Sequence, residues 1–172
     1  MSQNKLDDIL DTIVHLMPIL VGVETCVIYI WEKNNQLFHP ANAVASTHEE
    51  LEEILKHTFS AADFPLLGKI LETNDMVSCS MDNPDLPVKE WGTLLCVENN
   101  ELLSMESKNW LLGFPLSIKG EKYGVMLTKT TNIQPAYHQK RVELIKGVAQ
   151  QTALAIQNER LKEEMVGRER VE

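Results

Sequence analysis

The stretch Arg141-Val-Glu-Leu-Ile-Lys-Gly-Val-Ala-Gln-Gln-Thr-Ala-Leu-Ala-Ile156, continued by Gln157-Asn-Glu-Arg-Leu-Lys-Glu-Glu-Met165, decides how this chain is read. Its first half sets Val142, Ile145, Val148/Ala149, Ala153 and Ile156 at the spacing of a helix lying on a core. Beyond Ile156 one narrow apolar stripe survives: Leu154, Asn158, Leu161 and Met165, in steps of four, three and four. That is the seam of a coiled coil, and an Asn at a core position of such a seam pairs with its symmetry mate and fixes parallel register. The chain then reaches Arg168-Glu-Arg-Val-Glu172 without a Gly or Asn cap followed by Pro. The expected organisation is a domain over residues 1–161, with 162–172 opening a coiled-coil linker to an effector domain. A parallel homodimer is the expected assembly.

Working outward, 172 residues with 44% hydrophobic and 24% charged side chains form one domain with a full core. A net charge of −9 argues against nucleic acid or an anionic membrane surface as partner. The apolar run Leu16 to Val23 is far too short to span a bilayer. Asp7, Asp8 and Asp11 interrupt any signal-peptide pattern. The three cysteines, Cys26, Cys79 and Cys96, are unclustered and lack a Cys-x-x-Cys, which points to neither a disulfide framework nor a zinc site. The expected location is a reducing cytoplasm.

A first helix is predicted from about Asn4, with Pro18 kinking or ending it. Thr25-Cys-Val-Ile-Tyr-Ile-Trp31 reads as a buried strand and Gln36 to Ser46 as its hairpin partner. Thr47-His-Glu-Glu50 is a capping box, and Asp63-Phe-Pro65 opens a further helix that stops near Asn74. Met76 to Ser80 is a short strand. Met81 to Asn109 loses all period, with Leu94, Leu95 and Val97 expected to supply one short helix. Trp110–Ile118 and Lys122–Thr130 form a second hairpin before Pro135 starts the final helix. Hairpins at both ends imply an α+β fold: an antiparallel sheet with the terminal helices on one face.

The chain at this point resembles a GAF domain, the small-molecule-sensing relative of the PAS fold. The residues that carry the likeness are Val27-Ile-Tyr-Ile-Trp31, Trp110-Leu-Leu-Gly-Phe-Pro-Leu116, Gly120, Tyr123-Gly-Val-Met-Leu127 and, most specifically, the closing helix Ala149 to Leu161. The resemblance implies a module of a bacterial signalling protein, and the last residues are similar to linkers leading into SpoIIE-type phosphatase or histidine-kinase domains. It also implies a ligand side of the sheet, opposite the terminal helices. The aperiodic segment Ser80 to Asn109 is the candidate there, because long structureless connections serve as lids and binding loops. Its candidate lining is Cys79, Met81, Trp91 and Met105, with Trp110 and Phe114 in the following strand; a thioether and aromatic wall suits an apolar small molecule. The alternative is that these side chains only fill a core.

Other chemistries are weaker. His48-Glu49-Glu50-Leu51-Glu52 begins like a metalloprotease helix, but the second His is missing. The preferred reading is a solvated acidic face, with no metal and no cofactor expected. Bilin-attaching and cyclic-nucleotide signatures of the resembled family are absent. A methionine sulfoxide reductase of GAF type would need an exposed thiol of lowered pKa. Cys26 is expected to be buried, no basic residue adjoins Cys79 in sequence, and no two cysteines are expected within disulfide reach. The expected function is therefore a non-enzymatic sensor and dimerisation module that signals through its last helix. The alternatives are a ligand-free dimerisation module and, last, the reductase.

Overall fold

The computed structural model describes residues 5–97, 109–131 and 135–171. The elements run α1 (Lys5–Val21), β1 (Thr25–Glu32), β2 (Leu37–Val44), α2 (His48–Lys56), β3 (Phe59–Ser60), α3 (Pro65–Thr73), β4 (Val77–Ser80), a 3₁₀ helix (Val88–Thr93), β5 (Cys96–Val97), β6 (Trp110–Ile118), β7 (Glu121–Thr130) and α4 (Pro135–Val171). The seven strands form one antiparallel sheet in the order β3-β2-β1-β7-β6-β4-β5. This is the α+β sheet-and-helix architecture read from the sequence.

The sheet carries a core on each face. On one, Leu10, Val14, Met17 and Val21 of α1 and Val142, Ile145, Ala149, Ala153 and Ile156 of α4 pack on Cys26, Ile28, Leu112, Leu116 and Met126. On the other, Ile54 of α2, Leu66, Leu67 and Ile70 of α3, and Val88 and Trp91 of the 3₁₀ helix cover Val27, Tyr29, Leu111, Val125 and Leu127. Burial on both faces explains why β1 and β6 read as unbroken apolar runs rather than alternating ones, since neither face meets water.

Local signals set most boundaries. The Thr47 side chain accepts the Glu50 N–H at 3.1 Å, capping α2. Pro65 takes the first turn of α3, and Asn74 ends it in the left-handed conformation with φ 58°. Lys119 and Gly120, at φ 49° and 85°, form the two-residue turn whose twist suits the β6–β7 hairpin.

Three expectations are corrected. Pro18 does not end α1: the helix continues to Val21, held by the buried Met17 and Val21 on either side, and stops at Gly22 (φ 70°), whose N–H donates to the Pro18 carbonyl at 3.0 Å. The short helix expected around Leu94 and Val97 lies earlier, at Val88–Thr93, where Pro87 precedes it; Leu94 is extended and Cys96–Val97 is strand β5. Two strands, β3 and β5, escape periodicity because each has two residues.

Candidate functional site

Beyond β4 the chain folds back over the second core as a flap. Met81 N–H donates to the Asn109 carbonyl at 2.9 Å. The Asn83 side chain accepts the Asp85 N–H at 2.9 Å, and its carbonyl accepts the Leu86 N–H at 3.1 Å, which turns the chain toward Pro87. Trp91 then lies buried, donating its indole N–H to the Leu86 carbonyl at 3.2 Å, with its ring centroid 6.5 Å from that of Phe64. Gly92 presses on the start of α3: a Cβ there would stand 2.0 Å from the Asp63 carbonyl oxygen. Met81, Val88, Trp91 and Phe64 thus fill the space under the described part of the flap with side chains.

The six residues expected to share a wall are divided. Cys79, Met81 and Trp91 meet in the core beneath the flap. Trp110 and Phe114 stand on the opposite face of β6, in the core covered by α1 and α4, so alternation along the strand separates them from the flap. Met105 lies outside the described residues.

The cysteines overturn a further expectation. Cys79 of β4 and Cys96 of β5 are directly opposed in register, and their sulfurs lie 2.7 Å apart. The hydrogen bond between Cys79 and Cys96 pushes the Cys79 thiol far up, and burial adds to it. The same bond lowers Cys96, against a smaller upward push from burial, and the Lys69 ammonium on α3 lowers it further. Lys69 is ten positions from Cys79 in sequence, so tertiary folding alone supplies this basic neighbour. Cys26, by contrast, is enclosed beneath the terminal helices, and burial pushes its thiol up to about 12.

Glu50 departs from the expected solvated face. Its carboxylate pairs with the Lys129 ammonium, which is 3% exposed, and accepts the Thr25 hydroxyl at 2.7 Å. Lys129 also donates to the Pro84 carbonyl at 3.2 Å, so this pair ties α2 and β7 to the flap. A cleft of about 330 Å³ opens beside Glu50, lined by Ser46, Thr47, Glu49, Glu50, Glu53 and residues 85–88. The remaining charges of α2 are at the surface, His48 pairing with Glu52 at 3.0 Å. Among the described residues no group of three or more His, Cys, Asp or Glu is arranged to hold a metal, and no helix is long and apolar enough to cross a membrane.

On α4, Leu154 is half-buried, whereas Asn158, Leu161 and Met165 are exposed, the last two at 50% and 60%. Leu144, 56% exposed, falls on the backward continuation of the same heptad spacing through Gly147 and Gln151, both exposed. On α1, Leu16, Ile19 and Leu20 are likewise exposed.

Against known proteins, residues 5–158 match the family model described as GAF domain. No curated protein sequence matches the chain. Solved structures share the fold at low identity. The GAF domain/HD domain protein from Geobacter sulfurreducens is 17% identical with a TM-score of 0.70, over 91% of this chain and 95% of that one. The GAF domain of an Acinetobacter phosphoenolpyruvate-protein phosphotransferase is 18% identical with a TM-score of 0.62, over 91% and 85%. The GAF-B domain of DevS from Mycobacterium smegmatis is 13% identical with a TM-score of 0.64, over 94% and 99%.

Proposed function

The chain belongs to the GAF domain family, and from that premise we propose a non-catalytic regulatory module that dimerises along α4. Through that helix it passes a change of state to an output domain, of histidine-kinase or SpoIIE-type phosphatase class, in a cytoplasmic signalling protein. The observation that carries this reading is the change of character along α4. Up to Ile156 the helix packs its apolar face on the sheet; from Leu161 to Val166 its apolar side chains Leu161, Met165 and Val166 are exposed. Leu144, Leu154, Asn158, Leu161 and Met165 make one stripe at heptad spacing, which a second copy in parallel alignment would cover. Parallel helices joined to one core of the sheet convey a shift or rotation of that core to two identical partners at once.

The deciding measurement is sedimentation of Leu161→Asp beside the parent. The variant is expected to remain folded and become largely monomeric. A dimer of unchanged affinity would overturn the seam.

Small-molecule sensing is the second element, supported by the cleft between α2 and the flap, which Glu50 borders. A ligand seated there would touch the flap and α2 together. A metabolite screen is expected to yield a compound that raises the melting temperature of the parent and not of Glu50→Gln. A screen with no shift would leave dimerisation as the module's whole function.

A further inference from the structure

We propose that Cys79 and Cys96 form a reversible dithiol–disulfide site that locks the flap onto the sheet. Three observations carry it. The two residues are directly opposed on adjacent antiparallel strands, and their sulfurs already touch at 2.7 Å, so bond formation needs little backbone movement. Cys96 is half-buried and within reach of a small reagent, while Cys79 is enclosed, which divides the pair into an attacking and a resolving sulfur. Among the described residues β5 lies at the edge of the sheet and is opposed to β4 at two pairs, Ser78 with Val97 and Cys79 with Cys96, so a covalent bond here reinforces a short ladder.

The chemistry closes with a peroxide as oxidant. The Cys96 thiol gives its proton to solvent, and its sulfur attacks one peroxide oxygen. An S–O bond forms, the O–O bond breaks, and the departing hydroxide takes up a proton as water. The Cys79 sulfur then attacks the sulfenic sulfur of Cys96. The S–S bond forms as the S–O bond breaks, and the hydroxide leaves with the Cys79 proton as a second water. Two thiols and one peroxide thus give one disulfide and two waters, with two electrons passing from sulfur to oxygen. A small dithiol returns those electrons by exchange, entering at the accessible Cys96 sulfur. The ring so closed runs from residue 79 to residue 96 and contains Met81, Val88 and Trp91, so oxidation encloses the described part of the flap in a covalent loop anchored on β4. Cys26, on the other face of the sheet, takes no part.

The test uses the full chain, fully reduced, then exposed to hydrogen peroxide and denatured with a thiol-alkylating reagent. Free thiols are expected to fall from three to one, with the mass lowered by two hydrogen atoms and a single Cys79–Cys96 cross-linked peptide. Dithiothreitol should restore all three. Cys26→Ser should behave as the parent. Cys79→Ser should instead accumulate sulfenic acid at Cys96, trapped by dimedone. Amide exchange over residues 81–97 should slow in the oxidised parent. Three thiols surviving peroxide, a sulfinic acid at Cys96 in the parent, or a cross-link between two chains would each overturn the site. Unchanged amide exchange in an oxidised, cross-linked protein would overturn the locking role. Should Cys79→Ser not fold, Cys96→Ser at the half-buried position gives the same decision, because it must leave two thiols untouched by peroxide.

Discussion

Lys129 and Glu50, 79 residues apart, form an ion pair whose ammonium is 3% exposed and whose carboxylate is 14% exposed. The pair is completed by the Thr25 hydroxyl on the acid and the Pro84 carbonyl on the base. β1, α2, β7 and the flap therefore meet at one charged point.

Removing one partner leaves the other charge buried without compensation. Glu50→Ala is expected to destabilise the domain by about 3–5 kcal/mol, the range for breaking a buried pair. Lys129→Met should cost less, because the Glu50 carboxylate borders a cleft and can regain water. Urea midpoints of both variants check the order; equal losses would mean that Glu50 is held as tightly as Lys129.

At Gly92 the flap rests on the backbone of Asp63 and Phe64, just before α3. Gly92→Ala puts a methyl 2.0 Å from the Asp63 carbonyl oxygen, which cannot rotate away as a flexible side chain would. A loss of about 1–3 kcal/mol is expected, as for overpacking generally. Amide exchange should quicken over residues 86–94 and not in α4.

The stripe on α4 makes its own prediction through Asn158. Asn158→Ile should tighten self-association while loosening the choice of register, since it exchanges a register-fixing polar pair for apolar contact. Sedimentation gives the affinity, and spin labels at Lys162 give the register as one distance in the parent and a broader spread in the variant.

Cys26 predicts a signature in alkali. Its folded thiol is pushed up from 9.0 to about 12 by burial. Between those values the unfolded chain has released the proton and the native chain keeps it, so stability falls as pH rises. The slope from this one group is about 1.4 kcal/mol per pH unit. Cys26→Ala carries a constant packing loss but lacks this slope, so the gap between variant and parent should narrow from pH 9.0 upward. A gap that stays constant would show that the thiol ionises in the native state.

The features legible in the amino-acid sequence are those that rest on neighbours within a few positions. The α4 period, the Thr47 cap, Pro65 at the start of α3, Asn74 at its end and the Lys119-Gly120 turn are local. Each acts through backbone torsion or through hydrogen bonds spanning three or four residues. Which buried groups meet is set by the packing of distant elements. Trp110 and Phe114 read as apolar, but both faces of β6 are covered, so the pattern could not say which core they enter. Glu50 reads as one more acid on a helix until β7 brings Lys129 beneath it. Cys79 and Cys96, 17 positions apart across an aperiodic flap, become a pair through the register of two short strands. The physical reason is that hydrophobic periodicity records which side chains leave water. The partners they find there depend on strand order and register, which are set by the packing of the whole sheet.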